Sequence, residues 1–304
     1  MTDPFEALRS PAVGIEAVAI DPDPDFAARL RARIERALDQ PGGPPMSEVT
    51  FDPDADQGHQ PVPELTPPRH GDVGYVSLWV PDVERAAAFF SAVLGWRYAP
   101  AGGPRERQVE GTARPHGLWG GQERSTLFLC FAVDDIEAVL ERVESGGGRA
   151  GRARREPYGV VADCADDQGM PFALVESAGS REPRPAPRPP AAAGTAHGDL
   201  AYITMEVVDS GHARTFYGSV LGWRYSPGHA EGGWEVEDVA PMVGMIGGAG
   251  TATIVPMYRV DDVAGAVDRV RAAGGTATDP ERQPYGVTSS CVDDQGTRFY
   301  LGEL

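Results

Sequence analysis

The chain contains no lysine and no asparagine, so its 27 basic residues are all arginine. Without lysine there can be no Schiff-base nucleophile and no lysine-bound pyridoxal group. Cysteine is scarce too. The three cysteines have no close neighbours of their own kind, which excludes a zinc-type cluster or a dense disulfide framework and fits a reduced, cytoplasmic setting. Cys164 and Cys291 read as small core residues. No apolar run approaches the length needed to span a bilayer, and the N-terminus lacks a basic stretch followed by an apolar one, so neither a membrane anchor nor a secretory signal is expected. Positive charge is in short supply: the net charge of −18 argues against nucleic acid or an anionic membrane as partner.

What is present is a duplication. Asp82-Val83-Glu84 through Phe89-Phe90 to Val93-Leu94-Gly95-Trp96-Arg97-Tyr98 returns as Asp209-Ser210-Gly211 through Phe216-Tyr217 to Val220-Leu221-Gly222-Trp223-Arg224-Tyr225, displaced by 127 positions. The same displacement carries His70-Gly71-Asp72 onto His197-Gly198-Asp199, and Val133-Asp134-Asp135 onto Val260-Asp261-Asp262. It also carries Pro157-Tyr158-Gly159 onto Pro284-Tyr285-Gly286, and Asp166-Asp167-Gln168-Gly169 onto Asp293-Asp294-Gln295-Gly296. An unbroken register means two copies of one module with no net insertion.

The divisions that follow are a leader over 1–48, a tether over 49–70, module one over 71–177, an Ala/Pro-rich linker over 178–198 and module two over 199–304. In the leader, Phe26, Leu30, Ile34 and Leu38 share one stripe of a helix that packs on the chain's own modules or docks a partner. The Pro/Arg run of the linker predicts stiff, extended chain. Within each module the order is βαβββ, twice. Strands are expected over 74–80, 126–133, 149–154, 160–164 and 170–176, with weaker signals at 107–110 and 117–119. Asp82 and Asp134 or Asp135 start the helices, and Gly95 ends the first. In module two strands are expected over 200–207, 223–226, 234–239, 242–246, 251–260, 276–278, 287–291 and 297–302. The fold class is therefore α+β, with a mixed sheet per module.

This order, with Phe-Phe or Phe-Tyr before Val-Leu-Gly-Trp, Val-Asp-Asp before the second helix and Asp-Asp-Gln-Gly before the last strand, resembles the vicinal oxygen chelate superfamily. That group holds glyoxalase I, extradiol dioxygenases, fosfomycin-resistance enzymes and bleomycin-resistance proteins. The resemblance covers both modules and implies a cup-shaped sheet in each. It also implies metal-ligand positions, which fall here on Tyr75 and Tyr202 in the first strands, Phe128 and Val255 in the fifth position, Ala173 and Tyr300 in the last strands, and Gly117 and Gly244 before the fifth. None is an imidazole or a carboxylate, so the chain departs from the metal-enzyme pattern in both modules.

The resulting expectation is a protein without metal or cofactor that binds or sequesters a hydrophobic or aromatic small molecule, as bleomycin-resistance proteins do. The alternative is a lyase, isomerase or oxygenase with an unconventional metal or acid/base site, its candidates being His116, His70 and His197. Strand alternation places Tyr75 and Trp79 with Phe128 in one cup, and Tyr202 and Glu206 with Met257 and Tyr300 in the other, while Tyr158 and Tyr285 border the pockets. These rings either line a ligand pocket or fill a collapsed core. Arg298 and Glu206 are the polar anchors expected in module two. The paired Asp134-Asp135, Asp261-Asp262, Asp166-Asp167 and Asp293-Asp294 read as caps and turns, not as catalytic carboxylates. The modules are expected to pair within the chain, or between two chains as a homodimer.

Overall fold

The computed structural model describes residues 68–100, 103–156, 159–177, 196–228 and 230–304. The leader helix, the tether before residue 68, nearly all of the linker and Tyr158 lie outside the described residues.

The first sheet is built from β1 (Val73–Trp79), β2 (Glu106–Val109), β3 (His116–Trp119), β4 (Thr126–Ala132), β5 (Arg149–Ala150), β6 (Arg154–Glu156), β7 (Gly159–Ala165) and β8 (Pro171–Ser177). Its order is β2-β3-β1-β4-β8-β7-β5, with β6 also on β7. The antiparallel β1–β4 pair joins its two βαβββ units, and parallel pairs β1–β3 and β4–β8 flank it. The second sheet contains β9 (Leu200–Glu206), β10 (Tyr225–Pro227), β11 (Gly233–Val236), β12 (Met242–Ile246), β13 (Thr253–Arg259), β14 (Thr276–Ala277), β15 (Glu281–Gln283), β16 (Gly286–Val292) and β17 (Arg298–Glu303). It repeats the order as β10-β11-β12-β9-β13-β17-β16-β14, with β15 on β16.

The short edge strands differ from the expectation. The single strand over 149–154 is two short strands on β7, and between them the Gly151 amide donates to the Asp163 carbonyl of β7 at 2.7 Å. Its counterpart β15 was not foreseen, since Glu281-Arg282-Gln283 carries no apolar alternation. Trp96 turns its indole to the other module.

The helices are α1 (Val83–Leu94), α2 (Ile136–Ser145), α3 (Ser210–Leu221) and α4 (Val263–Ala272). Each starts where an aspartate accepts its orphan amides: Asp82 from Glu84 and Arg85, Asp135 from Ala138, Asp209 from Gly211 and His212, Asp262 from Gly265. Gly95, at φ 68, ends α1 in the left-handed region that glycine adopts without a Cβ penalty.

Strand alternation sends Val76, Leu78, Leu129, Phe131, Phe172 and Leu174 to the helix side of the first sheet. There they join one continuous core that spans both sheets. Phe89 and Phe90 of α1 meet Phe299 of β17 edge-on at 6.0 and 5.3 Å, and Phe216 of α3 meets Phe172 of β8 at 6.2 Å. Each such ring, fully buried, contributes up to about 3 kcal/mol of transfer free energy.

The duplicated motifs also meet across the molecule. The Gln168 side chain accepts from the Asp209 amide (2.7 Å) and donates to the Asp209 carbonyl (3.0 Å). Gln295 does the same to Asp82, at 2.8 and 2.9 Å. Trp96 donates to the Gly198 carbonyl and Trp223 to that of Gly71, both at 2.9 Å. Asp-Asp-Gln-Gly is thus a turn, as expected, with Asp166 Oδ1 accepting from Gln168 and Met170. It is also a clamp that holds the first helix of the opposite module by its N-cap.

Candidate functional site

Opposite the helices, each sheet has a second face, and the two copies of that face differ. In the first sheet Tyr75, Phe128, Cys130, Ala132, Val161, Ala173 and Val175 form a separate buried cluster, with Trp79 packed on it. Trp79 and Phe128 stack at 4.7 Å with planes only 8° apart. Tyr75 and Phe128 are each 2% exposed. Tyr75, Trp79 and Phe128 pack on one another in this cup.

In the second sheet the partners of Trp79, Phe128, Pro171 and Ala173 are Glu206, Val255, Arg298 and Tyr300. An indole and a phenyl have become a carboxylate and an isopropyl group. A cavity of about 360 Å³ lies here, lined by Val255, Ser290, Arg298 and Tyr300 together with Thr276 and Thr278 of the sheet edge. The Arg298 guanidinium donates twice to Glu206, from Nη1 to Oε2 and from Nη2 to Oε1, both at 2.7 Å. That bidentate pair raises the arginine above its ordinary value, and the Tyr300 hydroxyl interacts with the same guanidinium.

Tyr202 stands opposite Met257 on β13 and Met242 on β12. Its hydroxyl lies over Gly244, where an added Cβ would sit 1.8 Å from the oxygen. Glycine at 244 is what leaves room for the phenol. Burial, then the nearby Glu235 and Tyr285, push the Tyr202 hydroxyl up to about 12, so at neutral pH it is a neutral hydrogen-bond donor. Around this face Met242, Tyr285 and Leu304 are 46, 50 and 45% exposed. They are three of the four exposed large hydrophobic residues among the described residues. Leu304 reaches back to within 3.3 Å of a Cβ placed on Gly302, beside Met257.

The histidine candidates do not converge. His70 Nδ1 accepts from the Asp134 amide at 3.2 Å, and His197 Nδ1 from that of Asp261 at 3.3 Å. Each holds the turn before the second helix of its module, and burial lowers His70, with Asp134 opposing. His116 belongs to the buried core. It opens β3 opposite Val76, is 1% exposed on the helix side, and its Nε2 lies 3.0 Å from the Tyr258 hydroxyl of the other module. Among the described residues, no group of three or more His, Cys, Asp or Glu side chains is placed to hold a metal ion. The positions that the resemblance assigned to metal ligands do share one face in each sheet. Their phenols, apolar chains and glycines do not fit a two-imidazole, one-carboxylate site, so no metal-dependent step is derived.

A doubled βαβββ sheet with a cup opposite its helices is the vicinal oxygen chelate architecture. Residues 75–175 match the glyoxalase-like domain model. A glyoxylase-like domain-containing protein of Didymella fabae is 32% identical over 92 residues, which cover 26% of this chain and 71% of that protein. The chain belongs to the glyoxalase-like family of this superfamily. It is also similar to the anthracycline biosynthesis protein DauV of Streptomyces sp. (strain C5), at 25% identity over 77% of this chain and 94% of DauV. Among solved structures it resembles a Mn(II)-bound glyoxalase from Novosphingobium aromaticivorans, at TM-score 0.58 and 17% identity over 78% of this chain and 83% of that one. It resembles the 2,3-dioxygenase LapB from Pseudomonas sp. KL28 as well, at TM-score 0.57 and 15% identity over 77% and 92%. At those identities the likeness shows the fold. No helix among the described residues is long and apolar enough to cross a membrane.

Proposed function

We propose that the cup of the second sheet is a small-molecule site, one per chain, for a planar and largely apolar aromatic compound, and that the cup of the first sheet serves as structural core. The observation that carries this reading is the exchange of the stacked Trp79–Phe128 pair for Glu206 and Val255, with a cavity of about 360 Å³ beside Val255. That volume is within the range of small-molecule pockets. Tyr300 lines that cavity and supplies a ring face, Met257 and Tyr202 stand next to it in register across the sheet, and the exposed apolar rim supports the same reading.

The mechanism is stacking and burial: retention of the compound without turnover, as in sequestration of a drug or metabolite. The name of the relatives DauV and DnrV, anthracycline biosynthesis proteins, adds support, since anthracyclines are planar fused-ring aromatics. The test is a thermal-shift screen of planar aromatic compounds against the wild type and Val255→Trp. The expected result is stabilisation of the wild type by a subset of the compounds, absent in the variant. Equal shifts in both proteins would refute the assignment to this cup.

A further inference from the structure

Resting on that reading of the second cup, we infer that Glu206 and Arg298 form its recognition edge. The ligand class that fits is a neutral planar aromatic with a hydrogen-bond donor and an acceptor side by side on one edge.

The pair has unused valences. A guanidinium has five N–H groups and a carboxylate about four lone-pair positions. Their two mutual bonds of 2.7 Å leave donors on Arg298 and acceptors on Glu206 next to one another. Arg298 lines the cavity, and Glu206 is bonded to it beside that lining. Tyr300, on the same wall, interacts with the guanidinium.

The pair carries no net charge, and a neutral donor–acceptor edge is complementary to a neutral acceptor–donor edge. An anionic ligand is disfavoured twice. It would approach the Glu206 carboxylate paired with the lining Arg298, and it would enter a chain of net charge −18 with Glu235 close to Tyr202. The first sheet supplies the internal contrast. Its counterparts Trp79 and Pro171 offer no such pair, and that cup is filled. The polar edge therefore occurs in the cup with the cavity. With Arg298 half-exposed, the pair contributes little to folding, so removing both charges together leaves a protein that can be assayed.

The experiment titrates naphthalene, 2-naphthamide and 2-naphthoate into the full-length wild type and into the Glu206→Leu/Arg298→Leu double variant, read by ligand fluorescence. In the wild type, 2-naphthamide is expected to bind about 10- to 30-fold tighter than naphthalene, the effect of two modest hydrogen bonds, and tighter than 2-naphthoate. In the double variant the preference for the amide over naphthalene should be lost. Equal wild-type affinity for naphthalene and 2-naphthamide, a preference that survives in the double variant, or tightest binding by 2-naphthoate would each overturn the inference while leaving the cup as a binding site. Failure of all three probes to bind the wild type would overturn the binding-site reading, and this inference with it.

Discussion

Phe128→Ala is the sharpest perturbation of the first cup. The Phe128 side chain is buried against Tyr75, Cys130 and Ala173 and stacked on Trp79 at 4.7 Å. Removing it forfeits up to about 3 kcal/mol of transfer free energy, and the lost aromatic pair adds about 1 kcal/mol. The cavity left behind keeps the total in the range of about 3–5 kcal/mol, because sheet strands on both sides limit collapse. At about 2–4 °C per kcal/mol for a protein of this size, the melting temperature should fall by about 6–20 °C. Val255→Ala, its repeat counterpart, removes a smaller group at the wall of an existing cavity and should cost about 1–2 kcal/mol. The assay is urea denaturation of both variants beside the wild type. A Phe128→Ala cost below about 1 kcal/mol, or one equal to that of Val255→Ala, would refute the description of one filled and one open cup.

Three further outcomes are expected. Gln168→Ala and Gln295→Ala each remove two bonds to a helix N-cap in the opposite module. Each should lower stability by about 1–3 kcal/mol in chemical denaturation. His70, lowered by burial, is neutral in the fold, so its contribution is complete above the unfolded value of 6.5 and is lost as pH falls through the lower folded value. Stability of His70→Gln should accordingly fall less between pH 7 and 5 than that of the wild type, as read by melting temperature across pH. Gly244→Ala places a methyl group 1.8 Å from the Tyr202 hydroxyl, which must move. The expected cost is about 1–3 kcal/mol, with a change in Tyr202 fluorescence on denaturant-free protein.

The fold was legible because the duplication doubled every signal. The 127-residue displacement, the aspartate caps and Gly95 each appear where a helix begins or ends. Alternation also identified which side chains share a face, including Tyr75 with Phe128 and Tyr202 with Met257 and Tyr300. Whether a face is filled was not legible, since that depends on the summed volumes of Trp79 and Phe128 against Glu206 and Val255 once the strands are in register. The face of His116 follows only from the pairing of β3 with β1. The Val76–His116 register assigns it to the helix side. The clamp by Gln168 and Gln295 needed the tertiary fold, although its one trace in the sequence, a glutamine kept at the same place in both turns, was visible.

The most direct test of one open cup per chain is the stoichiometry of binding. Isothermal titration of full-length protein with the best compound from the thermal-shift screen should give one equivalent per chain, abolished by Val255→Trp and retained in Phe128→Leu. Two equivalents per chain, or binding that survives Val255→Trp and disappears in Phe128→Leu, would contradict it.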